Sequence, residues 1–192
     1  MNILLLLVNS LLLTTSDTIT LVPNLEAFTH PEFFYSTDCK CGMFNSDFFQ
    51  LEIYNTPYMP ANSTIIPPNF EVGYSVIITG KQDDFFRIKF NEEENPVYSQ
   101  CEDCDYYVKK GTLGTWIYNI NDTNGEYEAI PIYKEPNTNS KVVANLKKEN
   151  SVVIILDVQG EWMFVETITG KRKRGWLNPK MQCGDPYGRC KR

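Results

Sequence analysis

The 192-residue sequence predicts an all-β protein made of two tandem small modules, and three observations carry that expectation. The first is an internal repeat. Ile53-Tyr54-Asn55-Thr56-Pro57 recurs as Ile132-Tyr133-Lys134-Glu135-Pro136, and Val76-Ile77-Ile78 with Phe85-Phe86-Arg87-Ile88 recurs as Val153-Ile154-Ile155 with Trp162-Met163-Phe164-Val165. Thr115-Trp116-Ile117 recurs as Gly175-Trp176-Leu177. Kept order and kept chemistry in all three blocks are the mark of one supersecondary unit present twice. The second is composition: aromatic residues make up 13% of the chain and β-branched residues fill its apolar runs, as pleated strands favour. The third is that no long stretch places apolar residues at the helical period.

Residues 1–16 read as a secretory signal peptide. The apolar run over Ile3 to Val8 and Leu11 to Leu13, followed by Thr14, Thr15 and Ser16, is shorter than the roughly 20 residues a membrane-spanning helix needs. A buried N-terminal strand is the alternative, since Lys and Arg are missing from the start and Asn9-Ser10 interrupts the run. Export would place the mature chain in the periplasm or outside the cell, without a membrane span. Residues 17–48 are expected to be a lead segment, 49–122 the first module and 126–192 the second, joined by the polar stretch 120–127.

Within the second module, Ala129 to Tyr133 should form a strand, stopped by the turn cluster Pro136-Asn137-Thr138-Asn139-Ser140. Val142 to Leu146 should form the next, Val152 to Leu156 a buried one, and Asp157 to Gly160 a turn into a strand over Trp162 to Thr167. Successive strand side chains face opposite sides, so Met163 and Val165 share one face and Trp162 and Phe164 the other. In the first module Phe86, Ile88 and Phe90 line one face, while Phe85, Arg87 and Lys89 line a face whose charges mark it as outward. Trp162 aligns with Phe85. Large aromatics on such a face are candidate contact residues, because Trp and Tyr bring much contact area at little entropic cost. The alternatives are packing under a loop and, for Trp116 and Trp176 beside Ile117 and Leu177, capping the core.

The net charge of −6 argues against nucleic-acid partners, which are held by clustered Lys and Arg. The one basic run, Lys171-Arg172-Lys173-Arg174, reads as a solvated hairpin tip. Catalysis is not indicated either. The single histidine, His30, stands nine residues before Cys39 but without a strand-turn-helix context, and no phosphate-loop, dinucleotide or zinc-protease motif is present. The acids at Glu92-Glu93-Glu94 and Glu102-Asp103 lie in hydrophilic runs. No cofactor is implied.

The six cysteines fall in three close pairs: Cys39 with Cys41, Cys101 with Cys104, and Cys183 with Cys190. In an exported chain an even count favours disulfides, and the turn-rich loop between Cys183 and Cys190 suits a bridge that pins the C-terminus. The other four could form two disulfides or a four-thiolate zinc site. Cys101 and Cys104 fall in an insertion of the first copy: the offset between copies is 77 at Val76 and Val153 but 60 at Trp116 and Trp176, leaving 17 extra residues. A redox-active Cys-x-x-Cys is disfavoured, since Glu102, Asp103 and Asp105 would raise the thiol pKa.

The stretch Ile132 through Pro136, Val142-Val143, Leu146, Val152-Val153, Gly160-Glu161-Trp162-Met163-Phe164-Val165 and Gly175-Trp176-Leu177 resembles the bacterial SH3-like (SH3b) domain. It departs from that pattern at Glu149-Asn150, where a turn Gly is usual, and at Tyr133-Lys134, where many members carry Arg. The first copy is more divergent, with Thr115 before its Trp. The resemblance implies two small bent five-stranded barrels that hold a cell-wall peptide or a protein partner. On that basis Tyr54, Tyr58, Phe85, Tyr133, Trp162 and Trp176 are the candidate ligand-binding residues. A structural or zinc- or disulfide-stabilised envelope protein, and an inhibitor or immunity-type partner of a secreted enzyme, are the alternatives.

Overall fold

The computed structural model describes residues 18–29, 51–57, 63–66, 74–90, 104–117, 129–147, 152–168 and 170–184. Its strands are β1 (Thr20–Thr29), β2 (Leu51–Tyr54), β3 (Ser63–Ile66), β4 (Ser75–Gln82), β5 (Phe85–Phe90), β6 (Tyr106–Lys109) and β7 (Leu113–Ile117). They continue with β8 (Ile130–Tyr133), β9 (Val142–Leu146), β10 (Val152–Gln159), β11 (Trp162–Thr167), β12 (Arg174–Leu177) and β13 (Gln182–Cys183), the last preceded by a single 3-10 turn at Pro179–Met181. The all-β expectation holds for these residues. The expected signal peptide and the 120–127 joint lie outside them.

The two expected sheets are one. Antiparallel pairing runs β3-β2-β6-β5-β4-β1-β7-β10-β11-β12-β8-β9, with β13 against β7. Within that ribbon one pairing scheme occurs twice. In the first half β1 pairs β4, β4 pairs β5, β5 pairs β6, β6 pairs β2 and β2 pairs β3. In the second half β7 pairs β10, β10 pairs β11, β11 pairs β12, β12 pairs β8 and β8 pairs β9. The schemes agree to the residue. Leu25, Ala27 and Phe28 oppose Ile78, Val76 and Ser75, just as Leu113, Thr115 and Trp116 oppose Ile155, Val153 and Val152. Both long strands break register at the same place, between Ile78 and Gly80 and between Ile155 and Asp157.

One strand therefore serves both halves. β7 opens the second unit by pairing β10, and closes the first by pairing β1 at Phe28 and Thr29. β13 closes the second unit by pairing β7 at Trp116 and Ile117, in the way β7 pairs β1. Residues 20–29, in the expected lead segment, are thus the first strand of the first unit.

Alternation places the apolar faces on a common core. Phe86, Ile88 and Phe90 of β5 are buried together with Val76 and Ile78, and Met163 and Val165 of β11 with Val153 and Ile155. Leu113 of β7 belongs to the same cluster and is fully buried. Burying a side chain of this size contributes about 2 kcal/mol. The hairpins β4-β5 and β10-β11 each turn through two residues, and the first of these has positive φ in both, at Asp83 (48°) and Gly160 (55°). This is the twist-matched type of hairpin turn. Asp157 to Gln159, expected to turn, instead extend β10.

Polar contacts fasten the junction. Asp157, at the β10 bulge, takes Lys81 of β4 at 2.9 Å and Lys110 of the β6-β7 turn at 3.1 Å. Burial by itself would raise the Asp157 carboxyl; hydrogen bonds from Lys81, Lys110 and the Val158 amide reverse this and hold it below its ordinary value. The Gly111 amide, at φ 87°, donates to the Ile155 carbonyl across the same seam, and the Phe28 and Trp116 rings meet at 6.0 Å. On the far side of β7, the buried Thr115 hydroxyl donates to the Cys183 carbonyl (3.0 Å) and accepts from its amide (3.1 Å).

Two outcomes are expected. A fragment of residues 126–192 lacks β7, so it should show a collapsed, undispersed amide spectrum, whereas a fragment of residues 104–192 should give the dispersion of a sheet. If the shorter piece folds alone, β7 is not shared. Because the folded pKa of Asp157 is depressed, its contribution is complete above the unfolded value of about 3.9 and is lost as pH falls through the folded value. Asp157→Asn should cost about 1 kcal/mol in urea unfolding at pH 7, and the difference from the parent should vanish in acid.

Candidate functional site

The outward face of the second unit carries an aromatic cluster built by register. Phe164 on β11 lies opposite Trp176 on β12, and Trp176 lies opposite Tyr133 on β8. Three adjacent strands therefore place three rings side by side, and Trp162 joins them two residues along β11. The Phe164 and Trp176 rings stand 5.3 Å apart, and the Trp162 ring meets Tyr133 edge to face at 5.8 Å and 85°. All four are half-buried. Offset and edge-to-face pairs of this kind contribute about 1 kcal/mol each beyond their burial, so the cluster is a pre-formed, rigid apolar surface.

Next to the rings on that face, Glu166 accepts from Arg174, its cross-strand neighbour, and pairs with Arg172 at 3.0 Å. Lys173 reaches the Asn145 carbonyl of β9. The basic run is thus at a hairpin tip, as expected, and three of its four cations are engaged. Val142 and Val143 of β9 are each 43% exposed.

Gly175 sets the approach of these strands. A Cβ there would stand 2.8 Å from the Val143 methyl, 3.0 Å from the Tyr133 carbonyl and 3.1 Å from the Ile132 Cβ. The glycine lets β8 and β9 close over β12 and seats Tyr133 beside Trp176.

The first unit builds the corresponding face differently. Its register matches Tyr54 with Tyr133, Phe85 with Trp162, Arg87 with Phe164 and Tyr107 with Trp176. The Tyr54 and Phe85 rings meet edge to face at 5.2 Å, the counterpart of Tyr133 on Trp162. Tyr54 is only 2% exposed, with Lys109 over its ring at 5.6 Å. Burial and the Glu52 carboxylate push its phenol up, opposed by Lys109. Burial and Asp105 raise Tyr107 likewise, against Arg87. Arg87 donates to the Thr79 hydroxyl and pairs with Asp105 at 3.4 Å. Here the face is sealed by buried rings and ion pairs.

The sequence points to six candidate residues. Tyr133, Trp162 and Trp176 come together on one face; Tyr54 and Phe85 come together on another, where Tyr54 is covered; Tyr58 lies outside the described residues. Four strands, β4, β1, β7 and β10, separate the two faces in the ribbon, and no ring contact joins them among the described residues. Phe164 was missed, although its place two residues after Trp162 put it on the same face. The equation of Trp116 with Trp176 is overturned: Trp116 corresponds to Phe28, and Trp176 to Tyr107. The offset at Val108 and Leu177 is 69, so the first copy carries 8 extra residues between β5 and β6 rather than 17.

Cys104 and Cys183 are each disulfide-bonded. The other four cysteines lie outside the described residues, and no group of His, Cys, Asp or Glu suited to a metal ion occurs among those described. No described helix is long and apolar enough to cross a membrane.

No family model and no curated protein matches the chain. Among solved structures it is similar to NlpC2 from Trichomonas vaginalis, with 14% identity, a TM-score of 0.28, and 83% of this chain against 48% of that one. It is also similar to NlpC1 from Trichomonas vaginalis, with 15% identity, a TM-score of 0.29, and 90% of this chain against 49% of that one. The chain spans about half the length of both.

Gly175→Val should cost about 2 kcal/mol in chemical unfolding, as overpacking against backbone does, and should raise the exposure of Tyr133 to quenchers. An unchanged midpoint would mean that β8 and β9 are not held close by this glycine.

Proposed function

We propose that the chain is an exported, non-catalytic binding protein whose two units are SH3-like modules sharing a strand, and that the second module holds a peptide-like ligand. The observation that carries this reading is the half-exposed cluster of Tyr133, Trp162, Phe164 and Trp176, kept open in the second copy while the matching position in the first is buried at Tyr54. Rigid aromatic surface next to a few fixed charges suits a ligand with apolar groups and amides, and such residues dominate binding energetics. Glu166 with Arg172 and Arg174 would set orientation at one end. A cell-wall peptide or an envelope protein presenting such a segment has the required chemistry, and the periplasm or the exterior is where it would be met.

Trp162→Ala should weaken binding to purified cell wall by tenfold or more, about 1.4 kcal/mol, while the protein still unfolds cooperatively at a midpoint lowered by the loss of its ring pair with Tyr133, about 1 kcal/mol. The assay is cosedimentation, backed by quenching of tryptophan emission. A parent protein that stays in the supernatant with unaltered emission would sink the reading.

A second reading, a disulfide-stabilised structural protein of the envelope, draws on the oxidised state of Cys104 and Cys183. Intact mass before and after reduction examines it. Three disulfides across the six cysteines give a gain of six hydrogens and leave no thiolate for zinc.

A further inference from the structure

The charged border of the aromatic face has a chemistry of its own. On β11 and β12 the register pair that follows Phe164 and Trp176, two residues along and on the same side, is Glu166 and Arg174. Arg172, just before β12, reaches the same carboxylate at 3.0 Å. The Glu166 side chain is 5% exposed, whereas those of Arg172 and Arg174 are 75% and 58% exposed. One buried anion therefore orients two cations at the surface and offsets only one of their charges. Each contact uses a single guanidinium nitrogen, Nη1 of Arg172 and Nε of Arg174. A guanidinium carries five N–H donors in a rigid fork, so both have donors left for a second acceptor.

The first unit has the opposite arrangement. By register the equivalents of Glu166 and Arg174 are Lys89 and Asp105, so the charges are exchanged, and Asp105 is paired with Arg87. Acid stands beside the buried Tyr107 ring in the first copy, and base beside the open rings of the second. Neighbouring residues add to the base. Lys171 and Lys173 flank Arg172, and Lys173 reaches the Asn145 carbonyl of β9, two residues before the exposed Lys147. In a chain of net charge −6, this is where an anion is drawn.

Spacing sets the length of ligand that can use both features. Strand residues rise about 3.3 Å each, which puts the Glu166 and Arg174 pair about 7 Å from Phe164 and Trp176 and about 13 Å from Trp162. An extended peptide advances at the same rate. A carboxylate on the two arginines places the side chain two residues earlier on Phe164 and Trp176, and the one four residues earlier on Trp162 and Tyr133.

We propose that the second unit recognises the free C-terminal carboxylate of an extended peptide, held by Arg172 and Arg174, with apolar side chains third and fifth from the end lying on the rings. Glu166 is a positioning residue for the two guanidinium groups. The proposal rests on the aromatic face being a peptide site. Charge-assisted hydrogen bonds from Arg to a carboxylate are short and directional, so they decide which way the peptide lies.

The test uses the full oxidised chain, labelled with nitrogen-15, and acetyl-Leu-Ala-Leu-Ala-Ala as the free acid and as the C-terminal amide. Both should shift the indole N–H signals of Trp162 and Trp176 saturably, and only the acid should shift the Nε–H of Arg174. The amide should bind about fivefold more weakly, as loss of an exposed charge-assisted pair predicts. Arg172→Gln leaves Arg174 on Glu166, so the protein folds, and it should cut the acid-to-amide ratio to about twofold without changing the affinity for the amide. An Arg172 of purely structural role would instead weaken both peptides alike, which would count against the proposal. Equal binding of acid and amide, with the indole shifts intact, overturns the proposal and leaves the aromatic face as a peptide site; no indole shift with either peptide removes both. Shifts confined to Lys171 and Lys173, and reproduced by inorganic phosphate at the same concentration, would make the basic run a general anion site and overturn it as well.

Discussion

The structure depends on one five-residue strand. β7 presents one edge to β10 across four register pairs and gives the other edge to β1 at its start and to β13 at its end. A β-strand has only two edges, and an unpaired edge is a liability, so using both to the full joins two units at no cost in exposed backbone. Its side chains match that position. Leu113 enters the shared core, the Thr115 hydroxyl fastens β13, and Trp116 packs on Phe28 of the preceding unit. The ion group of Asp157, Lys81 and Lys110 and the Gly111 amide hold the seam at the level of the bulge. Of these, the Trp116 to Phe28 ring contact and the Lys81 to Asp157 pair join one unit to the other.

Around this common frame the two copies have moved in opposite directions. Where the second sets Phe164, Trp176 and Tyr133 across three strands, the first sets Arg87, Tyr107 and Tyr54. Exchanging one ring for a guanidinium changes the character of the whole face, because Arg87 draws Thr79 and Asp105 into a polar network and Lys109 lies over Tyr54. Gly175 contributes as much. Its counterpart by register is Tyr106, which packs edge to face on Phe90 at 5.6 Å instead.

Much of this was legible in the chain. Val142 to Leu146 and Trp162 to Thr167 read as strands with the observed bounds, since runs of β-branched and aromatic residues between turn formers leave little freedom, and the inward set Phe86, Ile88 and Phe90 followed from alternation. The ends of the first repeat were not. Gly-Trp-Leu at 175–177 resembles Thr-Trp-Ile at 115–117 more than Tyr-Tyr-Val at 106–108, yet partnership in a sheet is decided by hydrogen-bonded neighbours, and these lie far apart in sequence. The same reason hid β1: Pro23 and Asn24 signal a turn locally, and only pairing with β4 makes the segment a strand. Asp157 reads as a turn residue until Lys81 and Lys110 are brought to it. For the candidate site, alternation found the outward rings, while which of them stay open was fixed by cross-strand partners that no local pattern announces.

Shared membership of β7 also bears on heredity. After a duplication, two copies ordinarily accumulate substitutions independently, each tolerating what its own interior allows. Here a change at Leu113 or Gly114 must satisfy two ancestral environments at once, so these positions should drift more slowly than Tyr106 or Arg87, which answer to a single copy.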